Sequence, residues 1–250
     1  MFFVNQLAGF GAGGVAEIVA SGLHLHLDAG NSASYSGSGT TWTDLTSNAY
    51  TFGQSGSGTT FTSSGAASYF QFNGSGWWTQ SAAYSGSIMR IAGRQNQPFT
   101  TEAWIYRGGA ANDLEALWSN MSGSGTSAGY SDVVNYTGNK HEAYVQGSSQ
   151  GLSTSQVGTG AWKQIALSGQ LDGSTTCTFY VNGAADGTFT YNNSAFTSGD
   201  SAASSTLCSW ATTFPFSNGS RIAIFRQYNR ALTGAEVLQN FNANRARYGI

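Results

Sequence analysis

Between clusters of Gly, Ser, Asn and Asp, the chain repeatedly enters short runs in which Val, Thr, Tyr, Phe and Trp recur at alternate positions. A period of two sends successive side chains to opposite faces and so restricts these runs to strands. Leu23-His24-Leu25-His26-Leu27 alternates strictly, which places the leucines on one face and the histidines on the other of a half-buried strand. Comparable runs are Tyr69 to Phe72, Phe99 to Tyr106, Leu114 to Trp118, Tyr130 to Tyr136, His141 to Gln146, Trp162 to Leu167, Thr176 to Val181, Thr188 to Tyr191 and Arg221 to Phe225. They are too many for one small sheet, and the chain is expected to be an all-β, two-sheet antiparallel sandwich.

Asn182-Gly183 follows Phe179-Tyr180-Val181 and precedes another β-like run, the composition of a tight antiparallel hairpin. One helix is expected near the end. Thr233 caps its first turn with Glu236 three residues on, Leu232 packs on Val237 as a staple, and Val237, Leu238 and Phe241 form its apolar side. Arg245 and Arg247 suit its C-terminal end, and Gly249 is placed to stop it.

Composition narrows the function classes. Only 9% of the 250 residues are Asp, Glu, Lys or Arg, against about 25% in an ordinary domain, so Ser, Thr, Asn, Gln and Gly must cover the surface. With 7 Trp, 12 Tyr and 15 Phe the chain can bury a sizeable core without metals or cross-links, and its 34 glycines do not signal disorder. A net charge of -2 with 10 basic residues gives no electrostatic footprint for nucleic acid or an anionic membrane. No run approaches the roughly 18 apolar residues of a membrane span. No Lys or Arg precedes Arg90, so the basic start of a secretory signal is missing.

The first twenty residues differ from the rest: Phe2, Phe3, Val4, Leu7 and Phe10 are apolar, Glu17 is the only charge, and strand alternation is absent. Residues 1–20 are expected to be either a short helix or an extended arm whose apolar surface a partner must cover, and residues 21–250 one domain.

Gly9-Phe10-Gly11-Ala12-Gly13-Gly14 matches a dinucleotide-binding pattern, but only Val15 to Ser21 separate it from the next strand, too few for a crossover helix. No cofactor is expected. Cys177 and Cys208 are too few for a structural zinc site and are expected to be reduced, buried thiols rather than a disulfide. His24 and His26 share a face but lack a third ligand nearby, so no metal is assigned. Asp113 and Glu115 alternate on one face, the one carboxylate pair spaced for glycoside hydrolysis, yet Leu117 stands where a third acid is expected and the pair reads as a polar strand end. The chain is therefore expected not to be an enzyme. Trp77-Trp78, with Tyr84 close by in a glycine-rich stretch, is the candidate glycan platform, because aromatic faces stack on sugar rings.

Four segments together carry a resemblance: Leu25 to Tyr35 with Thr41-Trp42-Thr43-Asp44-Leu45, then Phe99 to Ile105, then Trp162 to Gly183, then Ile222 to Tyr248. They resemble the concanavalin A-like, laminin-G-like jelly-roll domains, and in particular those of tailed-bacteriophage virion proteins. The resemblance spans about residues 21 to 250 and implies a jelly roll with a C-terminal helix. It implies a virion surface structural protein, most simply a capsid decoration protein docked on viral capsid or other virion proteins through Phe2, Phe3, Val4, Leu7 and Phe10, with weak adhesion to host-surface glycans. The alternatives are a carbohydrate-binding module or tail-fibre receptor-binding domain, and a glycoside hydrolase built on Asp113 and Glu115. Some laminin-G-like domains bind calcium, but no complete ligand set aligns here.

Overall fold

The computed structural model describes residues 16–80, 97–108, 114–120, 130–134, 138–145, 147–191, 205–210 and 213–250. The strands are β1 (Leu23–Asp28), β2 (Thr41–Thr43), β3 (Thr51–Gly56), β4 (Thr59–Thr62), β5 (Tyr69–Phe72), β6 (Gly76–Gln80), β7 (Pro98–Tyr106) and β8 (Glu115–Ser119). They continue with β9 (Tyr130–Val134), β10 (His141–Val145), β11 (Ser148–Leu152), β12 (Trp162–Gln170), β13 (Thr176–Val181), β14 (Ala184–Thr190), β15 (Thr206–Leu207) and β16 (Arg221–Tyr228). A helix, α1 (Gly234–Asn244), and one 3-10 turn, Arg245–Tyr248, close the chain.

These strands form two antiparallel sheets packed as a sandwich, as the alternation predicts. The first runs β14-β13-β12-β7-β16-β5-β4 with β1 also on β16, and the second runs β11-β10-β9-β8-β15-β6-β3-β2. The last strand thus sits inside the sheet, between β7 on one side and β1 and β5 on the other. Asn182 and Gly183 both adopt positive φ, 50° and 78°, and join β13 to β14 where Val181 faces Ala184. That twist is the one a two-residue hairpin requires. The strand runs missing from the sequence reading are chiefly β2, β3, β4, β6, β11 and β15, which are short or rich in Thr, Ser and Gly.

Alternating residues of both sheets meet in one core. Leu25, Leu27, Ile105, Leu167 and Phe225 come from the first sheet, and Trp78, Trp118, Tyr130 and Val145 from the second. A polar tie crosses this core: Thr101 on β7 donates to Asp132 Oδ2 on β9 at 2.5 Å, and the Tyr130 hydroxyl donates to Asp132 Oδ1 at 2.5 Å. Hydrogen bonds of this kind satisfy a carboxylate taken out of water.

Helix α1 covers the outer face of the first sheet. Thr233 and Glu236 form the expected capping box, and Leu232 and Val237 share one buried cluster with Val19, Ala166, Tyr180 and Tyr228. The apolar side differs from the sequence expectation: Val237 and Phe241 are buried, but Leu238 is 45% exposed and Asn240 and Asn244 take the remaining inward positions. The reason lies beneath them. Arg226 of β16 donates to Glu102 of β7 at 2.8 Å and to Asn244 Oδ1 at 2.7 Å, while Asn240 Nδ2 donates to Glu102 Oε2 at 2.6 Å and to the Tyr228 hydroxyl at 2.9 Å. A buried ion pair demands such partners for its remaining lone pairs and protons. Asn240 also accepts the Val19 backbone N–H at 2.8 Å, and Gln239 donates to the Glu17 carbonyl, so the chain just before β1 lies along α1.

The first strand is likewise more enclosed than a half-buried one. Leu25 and Leu27 face the core, but His24 is buried against Asn48 and Tyr50, which sit 3.3 Å from its two ring nitrogens. His26 is mostly covered, paired across the ladder with Arg226. Burial first, and then the Arg226 charge, holds the His26 imidazole down to about 3, so the ring is neutral in the folded protein.

Candidate functional site

Trp77 and Trp78 lie on β6, whose pleat sends them to opposite faces. Trp78 is 0% exposed and packs in the core against Trp42, Phe70 and Tyr35, with ring centroids 5.6, 4.7 and 6.4 Å away. It is a core ring out of reach of a sugar. Trp77 is half-buried on the outer face, where its indole N–H donates to Thr79 Oγ1 at 3.1 Å. Of the expected platform residues, Tyr84 lies outside the described residues, as do the arm positions Phe2, Phe3, Val4, Leu7 and Phe10.

Asp113 also lies outside the described residues, whereas Glu115 opens β8. Glu115 is the polar strand end that the sequence suggests, but it is buried. It is 1% exposed, ion-paired with Arg107 Nε, and accepts from the Ser220 hydroxyl and, at 3.0 Å, from the Ser217 backbone N–H. Arg107 in turn donates to Asn139 at 2.7 Å. Both Glu115 oxygens are occupied by structural partners, which leaves none free to shuttle a proton. Cys177 and Cys208 are free and buried, and burial pushes the Cys177 thiol up to about 12, so neither offers a thiolate. Among the described residues no three His, Cys, Asp or Glu converge on a metal position.

A site that the sequence reading missed lies where the β1–β2 connection crosses the open side of the sandwich, between edge strands β2 and β4. Asn31 organises the connection: its side chain accepts the Ala33 N–H, and its carbonyl accepts those of Ser34 and Tyr35, each at 2.9 Å. Ser34 then binds Thr43 through both backbone and hydroxyl. Tyr35 turns inward onto Phe61 and Phe70, with centroids 4.9 and 4.8 Å away, and its hydroxyl holds the Gly39 carbonyl at 2.8 Å.

This loop leaves two adjoining hollows. One, of about 300 Å³, is walled by hydroxyls, including those of Ser32, Ser36, Ser38, Thr41 and Thr43. The other, of about 210 Å³, shares Ser32 and Ser36 with the first and is bordered by Tyr35, Phe61, Ser63 and Gly65. None of the described side chains lining either hollow is charged. The neighbouring cation, Arg247, is held by Asp28 and the Ala66 carbonyl. A Cβ on Gly30 would run into that carbonyl and the Arg247 guanidinium, which is why glycine stands there. Hydroxyls that both donate and accept, beside an aromatic edge, match the alternating polar and apolar faces of a pyranose.

Residues 80–238 match the family described as the concanavalin A-like lectin/glucanases superfamily, in its laminin G type. The chain belongs to this superfamily. Its fold is shared by a Trypanosoma rangeli sialidase solved with 2,3-difluorosialic acid, at a TM-score of 0.68 and 16% identity over 99% of this chain and 36% of that one. It is shared too by a structure of botulinum neurotoxin type C, a toxin whose cell entry depends on interaction with two ganglioside molecules, at 0.63 and 14% over 89% of this chain and 51% of that one. The binding domain of botulinum neurotoxin DC in complex with SialylT matches at 0.62 and 13%, again over 89% and 51%. This lectin-like chain therefore spans about a third of the sialidase and half of the neurotoxin chains. No curated protein sequence matches it. No helix among the described residues is long and apolar enough to cross a membrane.

Proposed function

We propose that this chain is a non-catalytic, glycan-adhesive jelly-roll domain displayed on the surface of a tailed-phage virion, where residues 1–20 dock it on capsid or other virion proteins. The observation that carries the adhesive half is the pair of joined hollows, in which serine and threonine hydroxyls surround Tyr35 and Phe61. Solved relatives in complex with sialic-acid derivatives support the same reading. The size of the hollows suits one or two sugar rings. The sialic-acid ligands of those structures are anionic, whereas no charged side chain lines these hollows, so the favoured ligand here is a neutral saccharide. The locked state of Glu115 supports the absence of hydrolysis.

The virion half rests on the Leu27-Asp28-Ala29-Gly30-Asn31, Trp42-Thr43-Asp44-Leu45 and Tyr228-Asn229-Arg230-Ala231-Leu232-Thr233 segments and on the apolar arm. Two measurements test the halves separately. A glycan array, followed by titration of the best neutral ligand against the wild type and Ser36→Trp, should show saturable binding that the bulky indole blocks; an array without ligands refutes adhesion. Stoichiometric recovery of the chain on purified particles is expected for the virion role, and its recovery only as free protein refutes it.

A further inference from the structure

On the outer face of the first sheet, Trp104 is closed over by Phe241 of α1 and by Tyr248, with ring centroids 5.7 and 4.6 Å away. The row of side chains next to it is not. Thr60, Gln71, Arg221, Tyr106 and Trp162 stand directly opposite one another across β4, β5, β16, β7 and β12, a span of about 19 Å at the usual strand spacing. Tyr69 and Tyr248 border the row, and their rings lie 5.7 and 4.7 Å from that of Trp162. Thr60 is exposed and the others are partly so. None of them lines the hydroxyl-walled hollows.

At the centre of the row stands Arg221, which no described carboxylate pairs. Arg107, Arg226, Arg230 and Arg247, by contrast, each hold one. The Arg221 guanidinium lies over the Tyr69 ring at 4.7 Å and over the Tyr106 ring at 4.3 Å, and its Nε donates to Gln71 Oε1 at 3.1 Å. Two rings and an amide thus fix the group, while its terminal nitrogens bond to no described residue and open to solvent. A planar fork held in this way is preorganised for a carboxylate and loses little freedom on binding one. The partly exposed rings beside it, Trp162 above all, offer apolar surface for the C–H face of a sugar. Every other member of the row is neutral, so a ligand with sparse charge fits best. A nucleic acid or a densely sulfated chain would bring anions that find no partner there.

We propose that this row binds a carboxylate-bearing saccharide, Arg221 taking the carboxylate and Tyr106 and Trp162 the sugar rings, at a site separate from the hollows. The full chain is titrated by heteronuclear NMR with trigalacturonate and with 3′-sialyllactose, each against its neutral counterpart, the methyl ester of trigalacturonate and lactose, at equal ionic strength. Saturable shifts at the amides of β5, β7 and β16 and at the Trp162 indole are expected with at least one acidic saccharide. Binding should be about tenfold weaker for the neutral counterpart and in Arg221→Gln, and weaker in Trp162→Leu. Binding of neither acid, equal affinity for the neutral counterpart, or undiminished affinity in a folded Arg221→Gln overturns the site. If Arg221→Gln does not fold, Arg221→Lys decides, because it keeps the charge and lacks the fork: undiminished binding overturns the site as well. Shifts confined to the 31–43 loop would put the acidic saccharide in the hollows and overturn it too. A neutral saccharide bound in the hollows should leave the row undisturbed, so failure of one site does not imply failure of the other.

Discussion

Arg247, in the last turn of the chain, grips Asp28 at the end of its first strand through both terminal guanidinium nitrogens, Nη1 to Oδ2 at 2.8 Å and Nη2 to Oδ1 at 2.7 Å. Asp28 also accepts the Gly30 N–H at 2.8 Å, and Arg247 Nε donates to the Ala66 carbonyl at 2.7 Å. One bidentate contact therefore fixes the 3-10 turn, the start of the hollow-forming loop and the β4–β5 connection against one another.

Asp28→Asn should cost about 2 to 4 kcal/mol, because Arg247 is left facing a neutral amide in a largely covered position. Burial pushes the Asp28 carboxyl up, but the hydrogen bonds and charge of Arg247 outweigh it and hold it below the usual carboxylate range. Its contribution is present at neutral pH and is lost as the pH falls below about 4, through the depressed folded value. Urea melts of both proteins at pH 7 and at lower pH check this; an unchanged midpoint refutes the coupling.

His26 supplies an acid sensitivity at milder pH. The unfolded chain takes up this proton near 6.5 and the folded chain only near 3, so the unfolded state holds more protons in between. Stability should decline as pH drops through that window, by at most about 1.4 kcal/mol per unit. His26→Leu should flatten the slope between pH 6.5 and 4.5, which chemical denaturation across pH would reveal.

The two adjacent indoles should separate cleanly. Trp78→Ala should lose about 3 to 5 kcal/mol, as truncation of a core Trp does, whereas Trp77→Ala should lose about 1 kcal/mol or less. Equal losses in thermal melts would show that both rings are structural.

Glu115→Gln should destabilise the fold by about 3 to 5 kcal/mol by stranding Arg107, without altering any polysaccharide-cleaving activity. A folded variant that loses a cleavage activity present in the wild type would make Glu115 catalytic.

Removing residues 1–20 should leave a cooperative transition but lower stability by about 1 to 3 kcal/mol, since Val19 leaves its cluster with Tyr228 and Val237 and no longer donates to Asn240. Particle attachment should be lost with it. Retained attachment would remove the arm's proposed role.

What the sequence determined by itself was local: the period of two that makes strands, the Asn182-Gly183 turn that needs two positive φ angles, and the Thr233–Glu236 cap, each set by residues within three positions of one another. The opposition of Trp77 and Trp78 follows from the same pleat. Which of the two rings enters the core did not, because that depends on β6 pairing with β3 on one side and β15 on the other. The inward turn of Asn240 and Asn244 required Glu102 and Arg226, more than a hundred residues apart, to pair beneath the helix. Glu115 became a buried structural anion only when Arg107, Ser217 and Ser220 converged on it. The hollows required the loop after β1 to meet β4. Local chemistry sets backbone conformation residue by residue, whereas faces, partners and sites arise from contacts between distant strands, whose register is fixed only when the whole core packs.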